Sequence, residues 1–171
     1  MEIEIPPKDK IVSGGCDVAL ARKGVGWSQS CLGSKANETG VYVIHHEGLI
    51  KYVGKTNGPS MSFGIRLRRE FQQSASGGKH IYPQLASLAV PPRIMVSLFS
   101  AADIKVLVQS FGLELNDYEA TEIFEMALIH AYRPDFQRHQ ENRTAAYIKK
   151  LGITDDPEAL LAMLKRNSDS E

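Results

Sequence analysis

The stretch Gly40-Val41-Tyr42-Val43-Ile44-His45-His46-Glu47-Gly48-Leu49-Ile50-Lys51-Tyr52-Val53-Gly54 decides the fold. Val41-Tyr42-Val43-Ile44 is β-branched and aromatic, which favours a strand. His45-His46-Glu47-Gly48 reads as a turn, and Ile50-Lys51-Tyr52-Val53-Gly54 resumes strand character. The pattern predicts a β-hairpin. His45 and His46 are neighbours, so in a strand they point to opposite faces. They cannot build one metal site, and at least one is expected to face solvent.

Downstream, Phe63, Leu67 and Phe71 recur every four residues, the apolar stripe of a helix. Ser60 or Ser62 can cap it, and Gly77-Gly78 ends the element. Arg66, Arg69, Glu70 and Gln73 fall on a different face. Pro91-Pro92 leads into a third strand at residues 93 to 99, and residues 103 to 111 predict a short helix. Asn116 followed by Glu119 has the spacing of a capping box. The helix it opens runs to about Ala131, buries Ala120, Phe124, Ala127, Leu128 and Ala131, and stops at Pro134. A last amphipathic piece lies near residues 157 to 165.

The fold class expected is α/β (α+β), a small central antiparallel three-stranded sheet flanked by helices. Residues 1 to 39, rich in Gly, Ser, Lys and Asn, read as an N-terminal extension that packs onto the later core. Their one short apolar segment is at residues 16 to 21. Residues 40 to 142 form the core, and residues 143 to 171 a C-terminal helical extension.

Composition excludes several classes. The chain has 171 residues, which suits one domain. It is 43% hydrophobic and 23% charged, so it is not disordered throughout. No apolar run approaches the ~20 residues of a membrane helix. The start, Met-Glu-Ile-Glu-Ile-Pro-Pro-Lys, lacks a secretory leader's pattern, so a cytoplasmic location is expected. Lys plus Arg equal Asp plus Glu at 20 each. Coating nucleic acid by bulk charge is thereby excluded, while a local basic patch stays compatible. Cys16 and Cys31 form no Cys-x-x-Cys pair and read as reduced thiols, with a single disulfide as the alternative.

Three features carry chemistry. Tyr42 and Tyr52 sit on paired strands, so either they share one region of the sheet or they fill its edge. Arg66, Arg68 and Arg69 form either a solvated face, with Arg66 and Glu70 as an i,i+4 pair, or forked donors for phosphate. Glu125 interrupts the apolar run Ile123-Phe124-Glu125-Met126-Ala127-Leu128-Ile129. An ionised carboxylate there needs solvent, an ionic partner or a metal.

Together these segments resemble the GIY-YIG nuclease family. Gly40-Val41-Tyr42 stands for the first motif and Tyr52-Val53-Gly54 for the second, followed by Lys55-Thr56. Gly64-Ile65-Arg66-Leu67-Arg68-Arg69-Glu70-Phe71 matches the family's arginine helix. The segment from Glu125 through Leu128, Ile129, Tyr132 and Pro134 to Gln137 matches its Glu-x-x-Leu-Ile-x-x-Tyr-x-Pro-x-x-Asn pattern. The resemblance spans residues 40 to 137, four motifs in order. Two positions depart: Glu70 stands where the family has His or Tyr, and Gln137 where it has Asn.

The resemblance implies hydrolysis of a DNA phosphodiester with one divalent metal, Mg²⁺ or Mn²⁺, held by Glu125. Arg66 would stabilise the transition state's charge. Tyr42 would orient or deprotonate the attacking water, its pKa lowered by Lys51 or Lys55. Tyr52 would position that water or contact the phosphate. Glu70 would pair with Arg66, orient a water or add a second metal-binding carboxylate, and Gln137 would keep the amide's contact one methylene further out. Expected DNA contacts are Lys51, Lys55, Arg68, Arg69, Lys79, His80, Arg133 and Arg138, extended by His139, Arg143, Lys149 and Lys150. No membrane partner is expected, and a symmetric dimer is compatible. The absence of a linker to a second DNA-binding module points to a stand-alone enzyme of restriction, phage or mobile-element type. A structure-specific nuclease for branched or flapped DNA and a non-catalytic DNA-binding module are the alternatives.

Overall fold

A computed structural model describes residues 16–18, 30–56, 58, 60–72, 81–88, 94–110, 112–137, 146, 147 and 149. Strand β2 (Gly40–His46) is buried along its whole length because it is an inner strand. It pairs antiparallel with β3 (Leu49–Thr56) on one side and with β4 (Ile94–Ser100) on the other. These three strands form the expected antiparallel sheet. A three-residue strand, β1 (Cys16–Val18), adds to the outer side of β4, giving the order β1-β4-β2-β3. Part of the N-terminal region therefore joins the sheet itself.

The strands' period of two feeds a separate core on each face. Tyr42 and Ile44 point toward α1 (Phe63–Phe71), packing with Phe63, Leu67, Phe71, Ile81, Leu85, Ile94 and Val96. Leu32 and Ala36, from a kinked 3-10 segment (Ser30–Asn37), complete that core. Val41, Val43 and Val53 point the other way, against Ile104 and Val108 of α3 (Ala101–Ser110) and Ala120, Phe124 and Leu128 of α4 (Asp117–Tyr132). A short helix, α2 (Tyr82–Ala86), borders the first core.

The predicted capping box is present at α4. Asn116 Oδ1 accepts from the Glu119 backbone N–H at 2.9 Å, and Glu119 Oε2 accepts from the Asn116 N–H at 3.2 Å. Arg133 closes α4 in the left-handed conformation at φ 43°.

The hairpin differs from expectation in its turn. His45 and His46 belong to β2, and only Glu47 and Gly48, at φ 52° and 77°, make the connection. Positive φ at both positions is the type I′ geometry that matches strand twist. Both histidines are buried, which corrects the expectation that one faces solvent. They lie on opposite faces of an inner strand, so each meets a protein layer rather than water. Helix α1 ends at Phe71, earlier than Gly77-Gly78 suggested. The piece expected at residues 157 to 165 lies outside the described residues, as do Lys79, His80 and Arg138.

Among the described residues, no helix is long and apolar enough to cross a membrane.

Candidate active site

The hairpin register sets the first part of the site. Tyr42 pairs with Gly54, and Ile44 pairs with Tyr52. Tyr42 and Tyr52 are thus diagonal neighbours on one face, with ring centroids 6.0 Å apart. The arrangement depends on Gly54. A Cβ there would lie 2.4 Å from Cζ and Oη of Tyr42 and 2.8 Å from Cε1 of Tyr52. Tyr42 lies across a gap that only glycine leaves open.

Helix α1 brings Arg66 and Glu70 onto the same face, one turn apart. Tyr42 Oη donates to Glu70 Oε1 at 3.0 Å. Arg66 Nε donates to Tyr42 Oη at 3.1 Å and lies 3.2 Å from Glu70 Oε1. Ile81 N–H donates to Glu70 Oε2 at 3.3 Å. Glu70 is 1% exposed, so it is no part of a solvated helix face. Its charge is tolerated because Arg66 pairs with it and several donors bond it.

The electrostatics of this cluster run against one expectation. Burial raises the Tyr42 pKa well above its ordinary value, and the Glu70 charge raises it further; Arg66 only partly opposes this. Neither lysine lowers it. Lys51 pairs with Asp135 at 2.5 Å, and Lys55 pairs with Val41 in the register, on the opposite face of the sheet. Tyr42 is a neutral donor. Tyr52, half-buried, is also shifted upward by burial and by Glu70. For Arg66, partial burial disfavours the charge, but Tyr42, Glu70 and Tyr52 outweigh it and hold the guanidinium protonated.

The second part of the site lies on the other face, beside the edge strand β3. Lys55 makes ion pairs with Glu122 and, at 2.7 Å, with Glu125 Oε2. Burial raises the Glu125 pKa; Lys55 pulls it down and Glu122 pushes it up. Burial alone would lower the Lys55 pKa, but the two carboxylates reverse that and hold it above its ordinary value. The two parts feel each other across the edge of β3. The charge of Glu125 acts on Tyr52, and that of Arg66 acts on Glu125.

Gln137 locks this edge. Its Oε1 accepts from Val53 N–H at 3.2 Å, while Phe136 N–H donates to Lys51 O at 2.9 Å, next to the bulge in the β2–β3 ladder. The Gln137 carbonyl is therefore spent on backbone that would otherwise be open.

Of the expected DNA contacts, Lys51 and Lys55 are committed to internal ion pairs. Arg68 is exposed on α1, with Nε donating to Gln72 Oε1, and Arg69 beside it is partly exposed. Arg133 is exposed at the end of α4. The residue that sequence reasoning missed is Glu122. It sits three positions before Glu125, and that spacing places both acids on one helix face.

A divalent metal at Glu125, as the resemblance implies, fits this donor set. Two carboxylates already converge on one ammonium, so the spot favours positive charge, and carboxylate oxygens suit a hard cation. Such a cation would share the acids with Lys55. Among the described residues, no three His, Cys, Asp or Glu side chains gather into a metal cage. Water and phosphate oxygens would supply the remaining ligands.

Compared with protein-family models, curated proteins and solved structures, the chain matches none.

Proposed function

We propose that this protein is a metal-dependent DNA endonuclease that hydrolyses phosphodiester bonds with the residues grouped around the edge of β3. The observation that carries the reading is the hydrogen-bonded set of Tyr42, Arg66 and Glu70 with Tyr52 beside it. A guanidinium held between a buried phenol and a buried carboxylate suits a reaction at an anionic centre.

In this reading Arg66 binds the scissile phosphate. Tyr42 and Glu70 hold its Nε and it also hydrogen-bonds Tyr52, so the guanidinium is fixed in place to meet phosphate oxygens. A phenol of the pair orients the attacking water. Glu125, with Glu122 behind it, would hold Mg²⁺ or Mn²⁺. That metal, when bound, would polarise the phosphate and stabilise the leaving oxygen. Arg68, Arg69 and Arg133 would contact the DNA backbone.

A second reading, a non-catalytic DNA-binding module, is favoured by the complete burial of Tyr42. Supercoiled plasmid with Mg²⁺ or Mn²⁺ separates the two. The endonuclease nicks the plasmid, and Glu125→Ala lowers the rate by about 100-fold or more. Binding without nicking under either metal establishes the module instead. Undiminished nicking by Glu125→Ala removes that residue from the site. Discrete fragments from linear plasmid indicate sequence-specific, restriction-type cutting; preferential cutting of branched DNA indicates a structure-specific enzyme. Co-purified mass in solution decides between monomer and symmetric dimer.

A further inference from the structure

Resting on the nuclease reading and deepening it, we propose that Glu70 is a positioning residue that aims Arg66 and occupies Tyr42, leaving Tyr52 as the phenol that meets the attacking water. The resemblance to the nuclease family puts His or Tyr at this position, so the role must be read from this chain's own geometry.

Three observations carry it. First, Glu70 is 1% exposed and bonds both the phenol and the guanidinium, so it reaches a substrate through them. Second, one carboxylate oxygen, Oε1, takes both the Tyr42 hydroxyl and Arg66 Nε, while the Ile81 N–H holds the other oxygen. The acid is thereby fixed by the strand, by its own helix and by the chain before α2. A guanidinium held at Nε presents its two terminal amino groups in a set direction. Third, both functions of the Tyr42 hydroxyl are taken: it donates to Glu70 and accepts from Arg66. With Tyr42 fully buried, an attacking water finds no vacancy there. Tyr52 also hydrogen-bonds Arg66, but it is only half-buried and so reaches solvent, on the same face and 6.0 Å away by ring centroids. The charged and titratable groups that act most on Tyr42 are Glu70, Tyr52 and Arg66, and on Tyr52 they are Glu70, Arg66 and Glu125.

The test compares Glu70→Gln, Tyr42→Phe and Tyr52→Phe in the full chain, with plasmid nicking in Mg²⁺ and ultraviolet tyrosinate titration as readouts. Glu70→Gln keeps an acceptor of the same shape and removes the charge. It is expected to lower kcat on the order of 10- to 100-fold while KM for DNA stays within about threefold. Removing the acid's charge also brings the phenols' ionisation to lower pH, moving the tyrosinate titration and the alkaline limb of the rate profile together. Tyr52→Phe is expected to cost on the order of 100-fold in kcat, and Tyr42→Phe less than about 10-fold. The proposal is overturned if Tyr42→Phe loses as much as Tyr52→Phe, or if Glu70→Gln leaves the tyrosinate titration unchanged. If Glu70→Gln fails to fold by circular dichroism, the two Phe variants decide alone. If the wild-type protein nicks no plasmid, the nuclease reading fails separately, and the titration still decides whether Glu70 governs the phenols.

Discussion

Replacing Gly54 with Ala tests the architecture of the site most directly. In an open strand the change would be neutral or favourable, because Ala loses less backbone entropy than Gly by roughly 0.5–1 kcal/mol. Here the new Cβ would stand 2.4 Å from Tyr42 Cζ and Oη. Carbon atoms in contact prefer about 3.5–4.0 Å, so the ring must retreat by roughly 1 Å or more. Tyr42 has nowhere to go, since Glu70 and Arg66 hold its hydroxyl and the sheet and α1 core enclose its ring. Overpacking of this kind costs about 1–3 kcal/mol, and loosening a charge-assisted hydrogen bond adds to it. A net loss of about 2 kcal/mol is expected, which for a domain of this size lowers Tm by roughly 4–8 °C. Urea denaturation of four proteins measures it: wild type, Gly54→Ala, Tyr42→Leu and the double variant. Leucine ends short of the ring's far edge, so the cost of Gly54→Ala should shrink by about 1 kcal/mol or more in that background. A Gly54→Ala protein as stable as wild type, or an equal cost in both backgrounds, would refute the close approach of Tyr42 to the second strand.

Other expectations follow from single contacts. His45 is buried and hydrogen-bonds Ser97 Oγ through Nε2 at 3.2 Å, and burial lowers its pKa from 6.5 to about 4. The unfolded chain therefore takes up its proton first as pH falls, so stability present above pH 6.5 drains away between 6.5 and 4, by at most about 3 kcal/mol. Urea titrations at several pH values should show this slope in wild type and a shallower one in His45→Gln. Asn116→Ala removes the side-chain half of the capping box and should cost about 1 kcal/mol by thermal or urea unfolding, with Asn116→Ser largely restoring it. Gln137→Leu strips the acceptor from Val53 N–H, so hydrogen exchange at Val53 should accelerate by about tenfold while amides in the middle of α4 stay unchanged.

Local chemistry made much of the framework readable from the residues alone. The β-branched runs marked the strands, the four-residue recurrence of Phe63, Leu67 and Phe71 marked α1, and Asn116 with Glu119 marked the start of α4. These signals act within a few residues, where backbone preference and side-chain period operate. The pairing of Tyr42 and Tyr52 was legible as one of two alternatives, because a hairpin limits which residues can meet.

What only the tertiary structure decided involves partners far apart in the chain. Whether Glu70 met water or Tyr42 depended on α1 settling against β2, and spacing along the helix carries no record of that. Lys55 followed the parity of its strand to the face opposite Tyr42, where Glu122 and Glu125 of α4 meet it. His45 and His46 resembled turn residues until β4 came alongside and made β2 an inner strand. Gln137 found its use at a sheet edge created 84 residues earlier. Desolvation and charge pairing depend on all surrounding layers at once, so polar residues take their meaning from the assembled fold, while apolar periodicity speaks for itself.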